Sequence, residues 1–111
     1  MKTLLTLFVL FLVGFSNVSL ADEQTKRKEI INQLINEYRI FDKIDIPGIY
    51  PRVYVSNNFK NLSFSDKFTF IHIVYSYYYT LNSKYDFIVI IDSLTDEDIG
   101  GYDLTYGLQF F

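Results

Sequence analysis

The chemistry that this sequence could perform centres on His72, its only histidine. Ser76 follows four residues later, so on a helix the two side chains would share one face. Such a pair is superficially a nucleophile with its general base, as in a small hydrolase. However, groups on one helix face rarely align for proton transfer, and no carboxylate is placed to orient the imidazole. We therefore predict no catalytic residue, and a hydrolase using His72 ranks last among three hypotheses.

Four carboxylates crowd the segment 92–98, in which Asp92 precedes Asp96, Glu97 and Asp98. Oxygen-rich loops can bind calcium. The spacing is not the alternating pattern of an EF-hand loop, and glycines follow the acids instead of lying among them. We interpret the segment as a solvated turn and leave calcium binding open. Apart from that open question, we predict no metal site and no cofactor, because the chain lacks cysteine and has a single histidine.

Four tyrosines lie within five residues: Tyr75, Tyr77, Tyr78 and Tyr79. Side chains this close together on a helix cannot all point into one core, so some phenols must reach the rim. Exposed tyrosines are effective contact residues for protein partners or sugars. The four are therefore candidates for a partner-binding surface, whereas the more ordinary interpretation is core packing with the hydroxyls at the edge.

The segment that carries these residues is predicted to be a helix over 65–82. Its small polar side chains recur every three or four residues, which places them in one stripe on a helix but on both faces of a strand. Ser63 and Asp66 resemble a capping box at its start. The rest of its circumference is apolar or aromatic, as expected of a buried helix covered by several neighbours. Its uncharged run, 68–83, is shorter than a usual membrane span of about 20 residues. The polar stripe consists of Ser65, Thr69, His72, Ser76, Thr80 and Ser83.

A second, amphipathic helix is predicted over residues 22–41, where Ile30, Leu34 and Tyr38 follow a helical period. Its apolar stripe could face the core or form the seam of a homodimer. The other predicted elements are a connector (42–51), strands (52–56 and 85–92), an acidic turn (93–99) closed by Gly100-Gly101, and a last strand (102–110).

The predicted class is therefore α+β, a small two-layer domain with the order α-β-α-β-β. Strand 52–56, the central helix and strand 85–92 would form a crossover with parallel strands. The last strand would return antiparallel, giving a three-stranded sheet whose C-terminal hairpin packs on the buried central helix.

The N-terminus has the three-part layout of a secretory signal peptide. A positive Lys2 precedes an apolar segment, and Ser19 and Ala21 are small residues at the positions that signal peptidase recognises. Cleavage after Ala21 would leave a single domain, 22–111. The alternative is an uncleaved N-terminal anchor.

The composition of the chain limits the classes of partner and the cellular compartment that we expect. The formal net charge is −3, which gives no reason to expect nucleic acid or anionic lipid as a partner. An exported chain without cysteine and with so short a leader is typical of a bacterial periplasm or of bacterial secretion.

Three functional hypotheses follow. The first is an exported, non-enzymatic module in the periplasm or medium, a binding, adaptor or inhibitor protein whose aromatic surface contacts an unknown protein or cell-envelope partner. The second is a membrane-associated envelope protein retained by its uncleaved leader or by the central helix. The third is the hydrolase. No motif indicates a reaction.

Overall fold

The computed structural model describes residues 19–111, in which a five-stranded sheet is packed against helices. The α+β class is thereby confirmed. In chain order the elements are α1 (Leu20–Asn36), β1 (Phe41–Asp45), β2 (Arg52–Val55), α2 (Asn57–Lys60), α3 (Phe64–Leu81), β3 (Ile88–Asp92), β4 (Asp98–Asp103) and β5 (Gly107–Phe110).

The strands lie in the sheet in the order in which they occur in the chain. β2 and β3 are parallel, with Val53 opposite Ile90, and the segment that connects them contains α2 and α3. The other neighbouring strands are antiparallel. The predicted parallel pair with a helical connection is therefore confirmed, and so is the antiparallel strand beside β3.

The prediction of three strands was wrong, first because α1 ends earlier than expected. Its last residue is Asn36, and Arg39 adopts a left-handed conformation with φ 55°. The Ile40 amide donates to the Leu34 carbonyl at 2.8 Å, which closes the helix end. The chain then turns into β1, so Phe41 begins an edge strand where the sequence predicted the end of a helix and a connector.

The second error concerns Gly100 and Gly101, which lie within β4 instead of forming a turn. The single strand predicted over 102–110 is divided between β4 and β5. The turn between them is stabilised by Asp103, whose Oδ1 accepts the Tyr106 amide at 2.7 Å. Gly107 follows with φ +73°, a conformation that glycine adopts without strain.

The central helix was predicted almost residue for residue. α3 spans Phe64–Leu81, and the Ser63 hydroxyl caps it by accepting the Asp66 amide at 3.1 Å. β2 and β3 also lie within their predicted segments.

One hydrophobic core lies between the sheet and the helices. Val53 of β2 and Ile90 of β3 are fully buried in it, as are Ile71 and Val74 of α3. α1 packs against both β1 and α3, and α3 packs against β3 and β4. The apolar stripe of α1 therefore faces the core, through the buried side chains of Ile30, Ile31 and Leu34.

Most of the predicted signal peptide, 1–21, lies outside the described residues. Ala21, the predicted cleavage residue, lies in the first turn of α1, two residues after Ser19, whose hydroxyl accepts the Asp22 amide at 3.2 Å. The helix therefore runs across the predicted cleavage point, and cleavage itself stays a prediction.

Candidate functional site

Four rings stack along one side of α3 in the order Phe68, His72, Tyr75 and Tyr79. Successive ring centroids are 5.9, 6.4 and 5.6 Å apart, with interplanar angles of 3°, 16° and 13°. Tyr102 of β4 meets the first three rings edge-on. Edge-to-face contacts of this kind are favoured by the quadrupole of aromatic rings. The sheet therefore fixes the orientation of this side of the helix.

His72 is held within this array by hydrogen bonds to two hydroxyl groups. Its Nδ1 lies 2.7 Å from the Tyr102 hydroxyl and its Nε2 lies 3.4 Å from the Ser76 hydroxyl. Burial lowers the pKa of His72 below its ordinary value of 6.5, and the positive charge of Arg27 lowers that pKa further. The imidazole is therefore neutral near pH 7, with one nitrogen donating and the other accepting.

This arrangement does not favour proton abstraction from Ser76. A general base must become positively charged, and in a hydrolase triad a carboxylate stabilises that charge. Here the third group is the Tyr102 phenol, and the nearby positive charge of Arg27 opposes protonation of His72. The chemistry that the geometry supports is a structural hydrogen-bond chain between α3 and β4.

A candidate site more open than the surroundings of His72 is a cleft of about 420 Å³ at the C-terminal end of the stacked rings. Its volume lies within the range of small-ligand sites, roughly 300–1,000 Å³. Four separate segments of the chain meet there: the loop before β2, the second half of α3, the segment between α3 and β3, and the turn after β4. The cleft is lined by Tyr50, Tyr75, Tyr79, Ser83, Asp86, Phe87, Asp103, Leu104 and Thr105.

Four of the nine residues that line this cleft are aromatic. Tyr75 is only 4 % exposed and serves as its base, whereas Tyr79, stacked on it, is 42 % exposed. On another side, the rings of Tyr50 and Phe87 lie 5.6 Å apart. The Phe87 ring occupies the space above Gly101, where a Cβ atom would lie 2.4 Å from it. The absence of a side chain at Gly101 therefore helps to place a wall of the cleft.

Two carboxylates make the cleft electrostatically negative. Burial and the neighbouring Tyr79 phenol raise the pKa of Tyr75. The carboxylates of Asp86 and Asp103 raise that pKa further, which shows that both act on the cleft's base. Within residues 19–111, no lysine or arginine forms an ion pair with either of these two carboxylates.

The structure divides the four tyrosines of the predicted surface into two groups. Tyr75 and Tyr79 line the cleft. Tyr77 faces α1, where Lys28 Nζ lies 5.3 Å from its ring centroid, and Tyr78 packs edge-on against Tyr77. Tyr77 also lines a shallow groove of about 370 Å³ between α1 and α3. Partner binding through these residues stays a prediction, but the four do not share one surface.

Sequence reasoning missed most of the cleft. Tyr50 was assigned to a connector, Phe87 to the strand over 85–92 and Asp103 to the last strand. Asp86 was not singled out at all. No sequence spacing connects these residues, because the cleft forms only where β2 and β3 begin and β4 ends, beside the second half of α3.

The acidic segment after β3 is organised by its own hydrogen bonds. The Asp92 carboxylate lies 2.7 Å from Lys60 Nζ, and its second oxygen accepts the Leu94 amide at 3.0 Å. Both hydrogen bonds hold the pKa of Asp92 below its ordinary value. In the described part of the chain, no group of three or more acidic or histidine side chains is arranged to hold a metal ion.

Among residues 19–111, no helix combines the length and the apolar character needed to cross a membrane. Comparisons with protein-family models, with curated protein sequences and with solved structures find no match to this chain.

Proposed function

We propose that this protein is an exported, non-enzymatic binding module, acting in a bacterial periplasm or in the medium. The ligand site of the proposal is the aromatic cleft at the end of α3. The single observation that carries it is the stacking of Tyr79 on Tyr75 at the mouth of a cleft large enough for a ligand. The partner is a protein or another component of the cell envelope.

The packing behind Tyr79 supports this proposal. Tyr75 stacks on Tyr79 and meets Tyr102 edge-on, with ring centroids 5.6 and 5.3 Å apart. Tyr79 therefore has one face packed on a buried ring before a partner binds, which reduces the entropy lost on binding. Tyrosine supplies a large contact area with few rotatable bonds, as is typical of binding hot spots.

The environment of His72 supports a non-enzymatic function. Burial and Arg27 both favour the neutral imidazole, whereas a hydrolase would have to stabilise the protonated one. The hydrogen bond between His72 and the Tyr102 hydroxyl connects α3 to β4, and this structural role is enough to explain a histidine at this position.

The proposal is tested by capturing a partner with the wild-type protein and with two variants, each substituted at one tyrosine of α3. The immobilised protein is incubated with a cell-envelope extract of its host, in wild-type, Tyr79→Ala and Tyr77→Ala forms. Tyr77 is the matched control, because it lies two residues away on the side of α3 that faces α1. Melting curves confirm that both variants are folded.

We expect a specific partner to be recovered by wild type and by Tyr77→Ala. Recovery by Tyr79→Ala should fall by about tenfold or more, the effect of removing a hot-spot side chain. Equal recovery by Tyr79→Ala, or no specific partner at all, would refute the proposed site.

Export is tested separately from binding. N-terminal sequencing of the protein from the periplasm or medium should show Asp22 as the first residue. A full-length chain in the membrane fraction would instead support the membrane-associated alternative.

A further inference from the structure

We infer that the cleft binds a positively charged ammonium or guanidinium group. This inference rests on the proposed function, since it names the chemical class of ligand for the same cleft. The observations that carry it are the aromatic rings that line the cleft, its two carboxylates, and the contacts that this chain's own cations make elsewhere.

The first observation is the arrangement of the rings. Tyr79 is the exposed end of the stack, and Tyr50 and Phe87 form a tilted pair at an interplanar angle of 54° on another side of the same cleft. The face of an aromatic ring carries negative electrostatic potential and attracts cations within about 6 Å. Rings on more than one side of the cleft therefore place several aromatic side chains within reach of a cation bound there.

The second observation is the charge of Asp86 and Asp103. Asp86 is exposed and Asp103 is half-buried. Asp103 uses Oδ1 to accept the Tyr106 amide at 2.7 Å, which holds the carboxylate in place and leaves its other oxygen for a ligand. Among residues 19–111, no lysine or arginine lines the cleft. A cationic ligand would compensate both carboxylates, whereas an anion would be repelled.

The third observation is that the sheet already holds a cation in this way. Lys43 Nζ lies 4.4 Å from the centroid of the Tyr54 ring, and 4.0 Å from the carboxylate of Asp45. A tyrosine ring with a carboxylate beside it therefore lies next to an ammonium group in this protein, and the same carboxylate also pairs with Arg52 at 3.3 Å. The cleft presents the same two partners, Tyr79 and Asp86 among them, without a lysine or arginine from residues 19–111.

A neutral sugar is the strongest competing ligand, because it could also stack on tyrosine. It would gain from the rings but would leave the two negative charges uncompensated. The carboxylates therefore favour a cation, and a sugar serves as a comparison in the test.

The test is a titration of the ¹⁵N-labelled protein followed by amide chemical shifts. n-Butylguanidinium is compared with n-butylurea, a neutral molecule of nearly the same shape. A lysine-containing tripeptide, blocked at both ends, is compared with the same peptide acetylated on the lysine side chain. Methyl glucoside is the neutral sugar. The protein is used as wild type, Asp86→Asn and Asp103→Asn; asparagine at position 103 can still accept the Tyr106 amide.

We expect the two cationic probes to shift the amides of Tyr79, Asp86 and Asp103, and to bind more weakly as salt is added. Each asparagine variant should weaken binding by about two- to fivefold, as expected for a partly exposed charge pair. Binding of butylguanidinium alone would show that the cleft prefers a guanidinium to an ammonium head group. Binding of the lysine peptide alone would show that the cleft needs an ammonium group presented by a polypeptide.

Equal shifts and affinities for the charged and neutral members of each pair would overturn the inference. So would binding of methyl glucoside without the cations, unchanged affinity in both asparagine variants, or the absence of any shift at the cleft. The proposed function is tested by a different measurement, because loss of the captured partner in Tyr79→Ala does not depend on the ligand's charge. A partner lost in Tyr79→Ala but retained in Asp86→Asn and Asp103→Asn would separate the two conclusions.

Discussion

Replacement of Gly100 by alanine tests the placement of this glycine inside β4. A Cβ atom at position 100 would lie 2.4 Å from the backbone carbonyl oxygen of Gln109 in the neighbouring strand. A backbone atom cannot turn away as a side chain can, so β4 and β5 would have to separate. We expect Gly100→Ala to cost about 2–3 kcal/mol, the upper part of the range for overpacked sites. That loss corresponds to a fall in melting temperature of roughly 10–20 °C for a domain of this size.

Gly101 provides a comparison in which the obstacle is a side chain. A Cβ atom there would meet the ring of Phe87 at 2.4 Å. Because a half-exposed ring can rotate, we expect Gly101→Ala to cost only about 1 kcal/mol, or roughly 4–8 °C. In the Phe87→Ala background the obstacle is gone, so the same substitution should be nearly neutral, giving a coupling energy of about 1 kcal/mol.

Urea unfolding followed by far-ultraviolet circular dichroism measures these differences. Gly48→Ala is the control, because no atom lies within 4 Å of its added Cβ. This control should be neutral, or stabilise by about 0.4–1 kcal/mol through the unfolded state. The dependence of free energy on urea should stay the same across the series. If Gly101→Ala costs as much with Phe87→Ala as without it, the ring does not lie over this glycine and the reasoning fails.

Two further predictions concern pH. Burial and Arg27 lower the pKa of His72, so the unfolded chain takes up a proton before the folded one and stability should fall as pH drops from about 7 to about 5. The melting temperature of His72→Gln should be nearly constant over that interval. If it falls as steeply as that of wild type, His72 is not responsible for the pH dependence. The hydrogen bond from Lys60 lowers the pKa of Asp92, so its stabilisation is present above the ordinary aspartate pKa and is lost as pH falls below it. Wild type should therefore exceed Asp92→Asn in stability near pH 6, with the difference vanishing near pH 2; a constant difference would show that the Asp92 charge is not responsible.

Much of the fold was predictable where a segment's pattern agrees with its environment. In α3 the polar stripe through His72 distinguishes a helix from a strand, and Ser63 marks its start. Ile88 and Ile90 lie in a short, apolar, β-branched segment with few alternatives to a buried strand. In these segments local preference and tertiary packing favour the same structure.

The errors arose where local signals and tertiary contacts differ. The end of α1 depends on Arg39 in a left-handed conformation, which is uncommon for a residue with a side chain and has no sequence signal. The Gly100-Gly101 pair is typical of a turn, but its function here is close approach of a neighbouring strand and of the Phe87 ring. Without these contacts, β1 and the division between β4 and β5 could not be foreseen.

The sequence by itself determined the α+β class, the central helix, the parallel pair of strands and the tyrosines as candidate contact residues. Only the tertiary structure decided what each side of α3 meets, because Tyr75 and Tyr79 line the cleft whereas Tyr77 lies against α1. It also brought Tyr50, Asp86 and Asp103 to one cleft from three separate segments. The physical reason is that spacing along the chain reports the period of one helix or strand, whereas a cleft depends on where several elements end in space.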